Sequence, residues 1–371
     1  MKICGIIVEY NPLTNGHLYH IKKAREISQC DILIACMSGN FVQRGQPAIV
    51  DKWQRAKAAC LNGVDMVVEL PFVFACQSAD YFAKGAIAIL NALHCDTIVF
   101  GSETLKKEDY LALLDQSNSP SYHKKVQELL DNGYSYPQAT SLAFENFNIS
   151  LPNDILGFSY IKQIKAQNAP IDFFPIKRET GYHDLNPTSL SASSLRKLAK
   201  ENQDISKYSP MTLDGYLHDM NDLFDPLFYK LSFCTPQELS AIPIVKEGIE
   251  HRLIDCIKTS TSMETFLEAA STKRYTRPRI LRTVTHILIN QTLECDMPGY
   301  VRLLACSKIG KIHLRYFSDH CDLPFISQFS QIKHPHLDME LQSSRLYALA
   351  LPPKERLEFI KKEYASIPFF E

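Results

Sequence analysis

The stretch "EYNPLTNGHLYH", residues 9 to 20, collects residue types that handle anions. Asn15 and Gly16 lead into two histidines three apart, His17 and His20. The upstream run "KICGIIVEY" is apolar and β-branched, as a fully buried strand is, whereas "HLYHIKKAREIS" has helical periodicity. The histidines therefore fall on the first turn of a helix that follows a strand. A helix N-terminus directs free N–H groups and a partial positive charge outward, and Gly16 permits close approach to the backbone. Side chains three apart share a helix face, so both imidazoles can donate to one phosphate group. There they can neutralise charge as an α-phosphate becomes five-coordinate and pyrophosphate leaves. The competing reading makes one of the pair a capping or core histidine.

Two more stretches carry charge. In "SGNFVQRGQPA", Gln43 and Arg44 lie between Gly39 and Gly45 and can hold a small carboxylate or a phosphate, with Asp51 as N-cap of the next helix. A plain long loop is the alternative. "KRYTRPRILR" holds Lys273, Arg274, Arg277, Arg279 and Arg282 and no acid, so an external polyanion such as RNA is the natural partner, and Tyr275 can stack on a base. The alternative is a solvated face in which Pro278 opens a helix.

The elements that must position these residues follow from the alternation of short apolar runs with longer amphipathic ones: "CGIIVEY", "HLYHIKKAREIS", "DILIACMS", "DKWQRAKAACLNG", "DMVVEL", "ADYFAKGAIAILNAL", "DTIVFGSE". Strands alternating with helices predict βαβ units, an α/β fold with a Rossmann-like parallel sheet, and ligands beyond the carboxyl ends of its strands. Neither G-x-G-x-x-G nor G-x-x-x-x-G-K-S/T follows the first strand. Residues 107–168 read as mostly helical, "IDFFPIKRE" as one more strand, and "SASSLRKLAKEN" as a helix that closes a first domain, 1–200. Residues 201–371 are expected to form a mainly α-helical domain.

With 371 residues, 45% hydrophobic and a net charge of -1, the chain can bury a sizeable core in two domains, and a nucleic-acid coat protein is disfavoured. No apolar run approaches the roughly 20 residues that span a bilayer. The N-terminus turns polar too early for a signal peptide, so no membrane and a cytoplasmic location are expected. Eleven cysteines, an odd number without C-x-x-C, lie mostly in apolar runs, such as Cys4, Cys36 and Cys76, and are expected to be reduced core residues. No metal site is expected, since even His313, His320 and Cys321 lack paired ligand spacing.

"TNGH" resembles the T/H-x-G-H signature of nucleotidyltransferases related to class I aminoacyl-tRNA synthetases. "LSASSLR", with Ser191, Ser193 and Arg196, resembles their second signature, I-S-S-T-x-I-R, and makes a second anion cradle suited to β- and γ-phosphates. On its own it also reads as an ordinary helix N-cap.

A closer resemblance rests on "GIIVEYNP..NGH.YH", "MSGNFVQRGQPAIVDKWQRA", "GVDMVVELPF..A.QSAD.FA.GA", "FGSE", "PNDILGFSYIK" and "KRYTRPRILR". Together they are similar to the bacterial tRNA(Met) cytidine acetate ligases, over residues 3–200 and from "EGIEHRL" into the 310s. The resemblance implies activation of acetate by ATP as acetyl-adenylate, then transfer of the acetyl group to the N4 amine of the wobble cytidine of elongator tRNA(Met). It places the ATP loop on Ile7, Val8, Glu9, Tyr10, Asn11, Pro12, Leu13, Thr14, Asn15, Gly16, His17, Leu18, Tyr19 and His20, with further contacts at Gly101, Asn153 and Arg178. Magnesium is expected to bridge the phosphates, held mostly by them. The family usually reads H-N-G-H where this chain has Thr14, whose hydroxyl can still contact phosphate. The rival readings are a small-molecule adenylyltransferase of the pantetheine-phosphate or nicotinate type, and a non-catalytic nucleotide- or RNA-binding protein.

Overall fold

The apolar runs of the first half pair into one sheet. In the computed structural model, residues 1–144, 147, 149–177, 190–294, 296–365 and 368–371 are described. Strands β1 (Ile3–Val8), β2 (Ile32–Ser38), β3 (Met66–Leu70), β4 (Thr97–Ser102) and β5 (Asp172–Lys177) run parallel in the order β5-β4-β1-β2-β3. Every residue of β2 and β3 is buried, which is why they read as unbroken apolar runs and not as alternating ones.

Helices α1 (Asn15–Ser28) and α2 (Lys52–Leu61) pack on one face together with the helix Ala192–Lys200. The other face is covered by α3 (Phe72–Ala75), α4 (Ala79–Ala92) and the helix Pro152–Ala166. Strand order reverses between β1 and β4, so the crevice beyond their carboxyl ends is the expected ligand site of such a sheet. Among the described residues, Cys4, Cys36 and Cys76 are buried and belong to no disulfide, and no helix is long and apolar enough to cross a membrane.

Beyond residue 200 the helices Phe224–Phe233, Ile249–Ile257, Met263–Ala270 and Arg277–Leu288 pack together. The reading of 201–371 did not foresee strands. β6 (Val301–Cys306) joins β3 antiparallel, and β7 (Phe325–Ile326) and β8 (Phe369–Phe370) run parallel to β6. "VRLLAC" is too short for periodicity to separate a buried strand from a buried helix, and Arg302 interrupts its apolar pattern.

That arginine is buried because it faces a partner. Glu69 on β3 pairs in register with Arg302, and Lys52 Nζ lies 2.5 Å from Glu69 Oε1 and 2.7 Å from Glu363 Oε1. Arg302 Nη1 lies 3.0 Å from Glu69 Oε2, and Glu340 Oε2 lies 3.8 Å from Lys52. All five side chains are at most 1% exposed. Three carboxyls thus face two cations. Burial, reinforced by the Glu69 charge, pushes the Glu340 carboxyl well above its ordinary value, so the group carries the proton that balances the cluster. Glu340 and Glu363 sit on the helices Pro335–Ala348 and Pro353–Ala365, so the last fifty residues are tied to the sheet through its ionic centre.

Among the histidines buried uncharged are His218 and His286. His218 stacks on Tyr347 with ring centroids 3.6 Å apart, and His286 Nε2–H donates to the Cys76 carbonyl at 2.7 Å. Burial pulls His218 down to about 3 and His286 down to about 4. Both lie below the unfolded value of 6.5, so their contribution is complete above pH 6.5 and is lost as pH falls toward 4. Stability is expected to drop by about 1 kcal/mol for each group between pH 6.5 and 5.5. Melting curves across that interval check this, and His218→Gln should flatten the slope.

Candidate active site

The loop between β1 and α1 is fixed before any ligand arrives. Tyr10, fully buried, takes φ +50, a left-handed conformation that bulky residues rarely adopt. Asn11 Oδ1 accepts from the Ile49 N–H at 2.8 Å, and the Leu13 carbonyl accepts from Ser209 Oγ at 2.6 Å. Thr14 is the N-cap of α1. Its hydroxyl accepts from the His17 N–H at 3.4 Å, and its own N–H donates to His17 Nδ1 at 3.0 Å. The tautomer of His17 that satisfies this bond carries its proton on Nε2, the nitrogen turned away from the cap. His17 is therefore a capping residue of α1, in keeping with one of the two readings of the sequence, and its Nε2 carries the ring proton.

His20 lies a turn further on, where its Nε2–H donates to the Val99 carbonyl of β4 at 2.9 Å. This links α1 across the reversal point to the neighbouring strand. Asn15 spends its side chain on the Lys207 carbonyl at 3.0 Å and its N–H on the Tyr208 carbonyl at 3.0 Å, so the 205–209 segment braces the loop from outside. Gly16 is different. A Cβ there would meet only Thr14 Oγ1, at 3.6 Å, so packing does not require a glycine. What its absence of side chain preserves is open space over the helix N-terminus.

The second signature comes to the same loop. Ser191 caps the helix Ala192–Lys200 by accepting from the Ser194 N–H at 3.1 Å, in keeping with the plain capping reading. Arg196 then reaches across: Nη2 bonds to Ser193 Oγ at 3.1 Å, and Nη1 donates to the Asn11 carbonyl at 2.6 Å. Two segments 185 residues apart in sequence meet at one carbonyl.

The end of β4 forms the opposite wall. Gly101 pairs with Ile176 of β5 near the carboxyl end of the strand. Asn153, on the first turn of the helix Pro152–Ala166, donates its amide to Glu103 Oε1. Arg178 lies outside the described residues.

The loop after β2 closes the third side. The Gln43 N–H donates to Glu9 Oε1 at 2.7 Å, and Gln43 Nε2 donates to the Gln77 carbonyl at 2.7 Å. The Gln43 amide is thus engaged with the protein itself, and Arg44 stands next to it on the loop. The tip rests on the second half of the chain, where Thr285 Oγ1 donates to the Gly45 carbonyl at 2.7 Å.

The basic segment requires a correction. The sequence reading left its charges without acids, yet Glu247 takes both Arg274, at 3.3 Å, and Arg279, at 3.2 Å, while Glu264 grips Arg277 through both carboxylate oxygens. These acids come from other elements, which spacing within the segment could not reveal. Tyr275 is flanked by Arg274 and Arg279 and donates its hydroxyl to the Glu247 carbonyl at 2.5 Å, so its ring is already covered by cations. Lys273 is exposed and Arg282 half-buried.

A family model described as HIGH Nucleotidyl Transferase matches residues 1–362. The tRNA(Met) cytidine acetate ligase of Geobacillus sp. (strain WCH70) is 39% identical over the full length of both chains. That of Bacillus subtilis (strain 168) is 36% identical over 99% of this chain and 97% of its own. The chain belongs to the tRNA(Met) cytidine acetate ligase family. The crystal structure of Thermotoga maritima TmcAL bound with alpha-thio ATP superposes with a TM-score of 0.89 at 29% identity, covering 100% of this chain and 99% of that one.

Within this cytidine acetate ligase fold, two residues that position the site were not singled out from sequence. Arg55 of α2 is fully buried and donates to the Glu9 carbonyl at 2.6 Å, the Ser38 carbonyl at 3.2 Å, the Val50 carbonyl at 3.2 Å and the Gly39 carbonyl, clamping the carboxyl ends of β1 and β2 together. Asp154, also fully buried, accepts from Ser102 Oγ at 2.7 Å, the Glu103 N–H at 2.8 Å and Thr104 Oγ1 at 2.6 Å, holding the turn after β4. Their partners are mostly backbone groups, which leave no mark in a sequence. Asp154 had one available signal, its place beside Asn153 in "PNDIL".

Proposed function

We propose that this protein uses ATP to activate acetate as acetyl-adenylate and passes the acetyl group to N4 of the wobble cytidine of elongator tRNA(Met), forming N4-acetylcytidine in the cytoplasm. The observation that carries the reading is the 2.6 Å bond from Arg196 to the Asn11 carbonyl, because it joins the two phosphate signatures into one cradle at the reversal point of the sheet. The names of the relatives supply the substrate class.

Acetate is a poor acyl donor because its leaving group would be oxide. Attack of a carboxylate oxygen on the α-phosphorus of ATP forms the acyl-phosphate bond and releases pyrophosphate, which turns that oxygen into part of a phosphate leaving group. His17 presents Nε2–H to the phosphates, the N-terminus of α1 adds its own N–H groups, and Arg196 stands over the same loop to meet the β- and γ-phosphates. The cytidine amine then attacks the acyl carbon, the bond to AMP breaks, and N4 loses a proton. That amine is a weak nucleophile, so the protein's main task in this step is to place an unstacked anticodon base against the anhydride. A magnesium ion accompanying ATP would neutralise charge on the phosphates and be held mostly by them.

The test is incubation with ATP, labelled acetate and bulk tRNA, omitting each in turn. ATP-dependent label in RNA is the expected result. Transfer of adenylate to a coenzyme precursor, or no ATP consumption in any mixture, would overturn the reading in favour of an adenylyltransferase or a binder. Gly16→Ala gives a sharper check. It should leave thermal stability equal or slightly higher, since alanine is the better helix residue, while weakening ATP binding roughly tenfold. Titration calorimetry beside a melting curve separates the two effects.

A further inference from the structure

Arg282 stands apart from the rest of its segment. Arg274, Arg277 and Arg279 have carboxylate partners, whereas Arg282 is half-buried and its Nε is shut from solvent with no hydrogen-bond partner among the described residues. It is also the member that touches the active-site loop. Gly45, at φ +83, lies so close that a Cβ there would collide with the Arg282 backbone.

The same loop bonds to Glu9 of the ATP loop through the Gln43 N–H. Contact therefore runs without a gap from the proposed ATP cradle, through Gln43, Arg44 and Gly45, to Arg282. Two cations, Arg279 and Arg44, act on its guanidinium, and burial together with their repulsion brings it down to about 10, with Cys76 acting in the opposite direction. A half-buried guanidinium with an orphaned N–H and like charges around it is completed by an oxyanion.

We propose that Arg282, with Arg44 beside it, seats the phosphodiester next to the base that enters the cleft, so that the single-stranded part of the RNA is gripped at the active-site loop itself. This rests on the function proposed above. The ligand is a phosphodiester and not the carboxylate of acetate, because of where the seat lies. A carboxylate that attacks the α-phosphate must be in contact with it at the N-terminus of α1. Arg282 lies against Gly45 of the loop after β2, Arg279 precedes it by one turn on the helix Arg277–Leu288, and exposed Lys273 stands just before that helix. That is the path of a chain with many phosphates, whose nearest one enters the protein.

The experiment compares full-length wild type with Arg282→Gln and Arg282→Lys. Without RNA, acetate-dependent exchange of pyrophosphate into ATP should stay within about twofold of wild type, since no adenylation contact is lost. With an anticodon stem-loop RNA, Arg282→Gln should raise KM about tenfold and lower the salt dependence of binding by about one phosphate contact, and Arg282→Lys should recover part of both. Arg282→Gln should melt at the same temperature as wild type or higher when RNA is absent, and should lose part of the upward shift that the stem-loop gives wild type. A rise in the acetate KM with RNA binding unchanged would make the seat a carboxylate site and overturn the proposal. An unchanged RNA KM and salt slope would overturn it as well. Failure of the underlying function is seen separately, as absence of exchange in wild type, and the RNA-binding slope of the variant still decides the role of Arg282.

Discussion

Glu363→Ala is expected to lower the free energy of unfolding by about 3–5 kcal/mol, a large part of the 5–15 kcal/mol that holds most domains folded. Glu363 takes Lys52 at 2.7 Å, accepts from Ser344 Oγ at 2.8 Å and meets Arg302, and its side chain is fully buried. Without it, two buried cations share Glu69 and a carboxyl that has to give up its proton to help. The partner experiment is Glu340→Gln, which should cost less than about 1 kcal/mol, because an amide resembles the protonated acid and keeps an oxygen for the Phe72 N–H. Denaturant titrations at pH 7 read both. Equal losses would mean that the proton of the cluster does not reside on Glu340, and a small loss in both would mean that water reaches the cluster.

That cluster also shows why sequence and structure differ in the second half. The parallel half of the sheet was legible because its central strands are buried on both faces and its helices are amphipathic, so hydrophobic periodicity changes at each boundary. β6 was not, because a six-residue run with an arginine in it looks like helix or loop until Glu69 and Lys52 are known to face it. The site divides in the same way. His17, His20 and Gly16 stood out as candidates because a helix N-terminus after a buried strand has a recognisable chemistry, and Arg196 stood out through the resemblance of "LSASSLR" to the second signature. Arg55 and Asp154 could not, because they bind mainly carbonyls and N–H groups supplied by distant strand ends. The basic segment misled in one respect, since Glu247 and Glu264 are close to it only in space.

His20→Ala is expected to reduce acetate-dependent pyrophosphate exchange by about 100-fold and to abolish labelling of RNA, because the ring whose Nε2–H ties α1 to the Val99 carbonyl holds the N-terminus of that helix in place against the developing charge. The structural cost is separate and small. Losing the bond to the Val99 carbonyl removes about 1 kcal/mol, so a melting curve should move by only a few degrees. Because that bond holds the ring against β4, the imidazole is set at one distance from the reversal point whether or not a nucleotide is present. An interaction of that kind acts on the transition state without tightening the ground state, which predicts a fall in kcat with little change in KM for ATP. A rise in KM alone would instead make His20 a nucleotide-binding residue with no part in the displacement. Unchanged exchange would move the adenylation site away from the β1–β4 crevice altogether. His17→Ala should differ in kind, since it removes both the Nε2–H donor and one half of the cap on α1, so exchange and melting temperature should fall together.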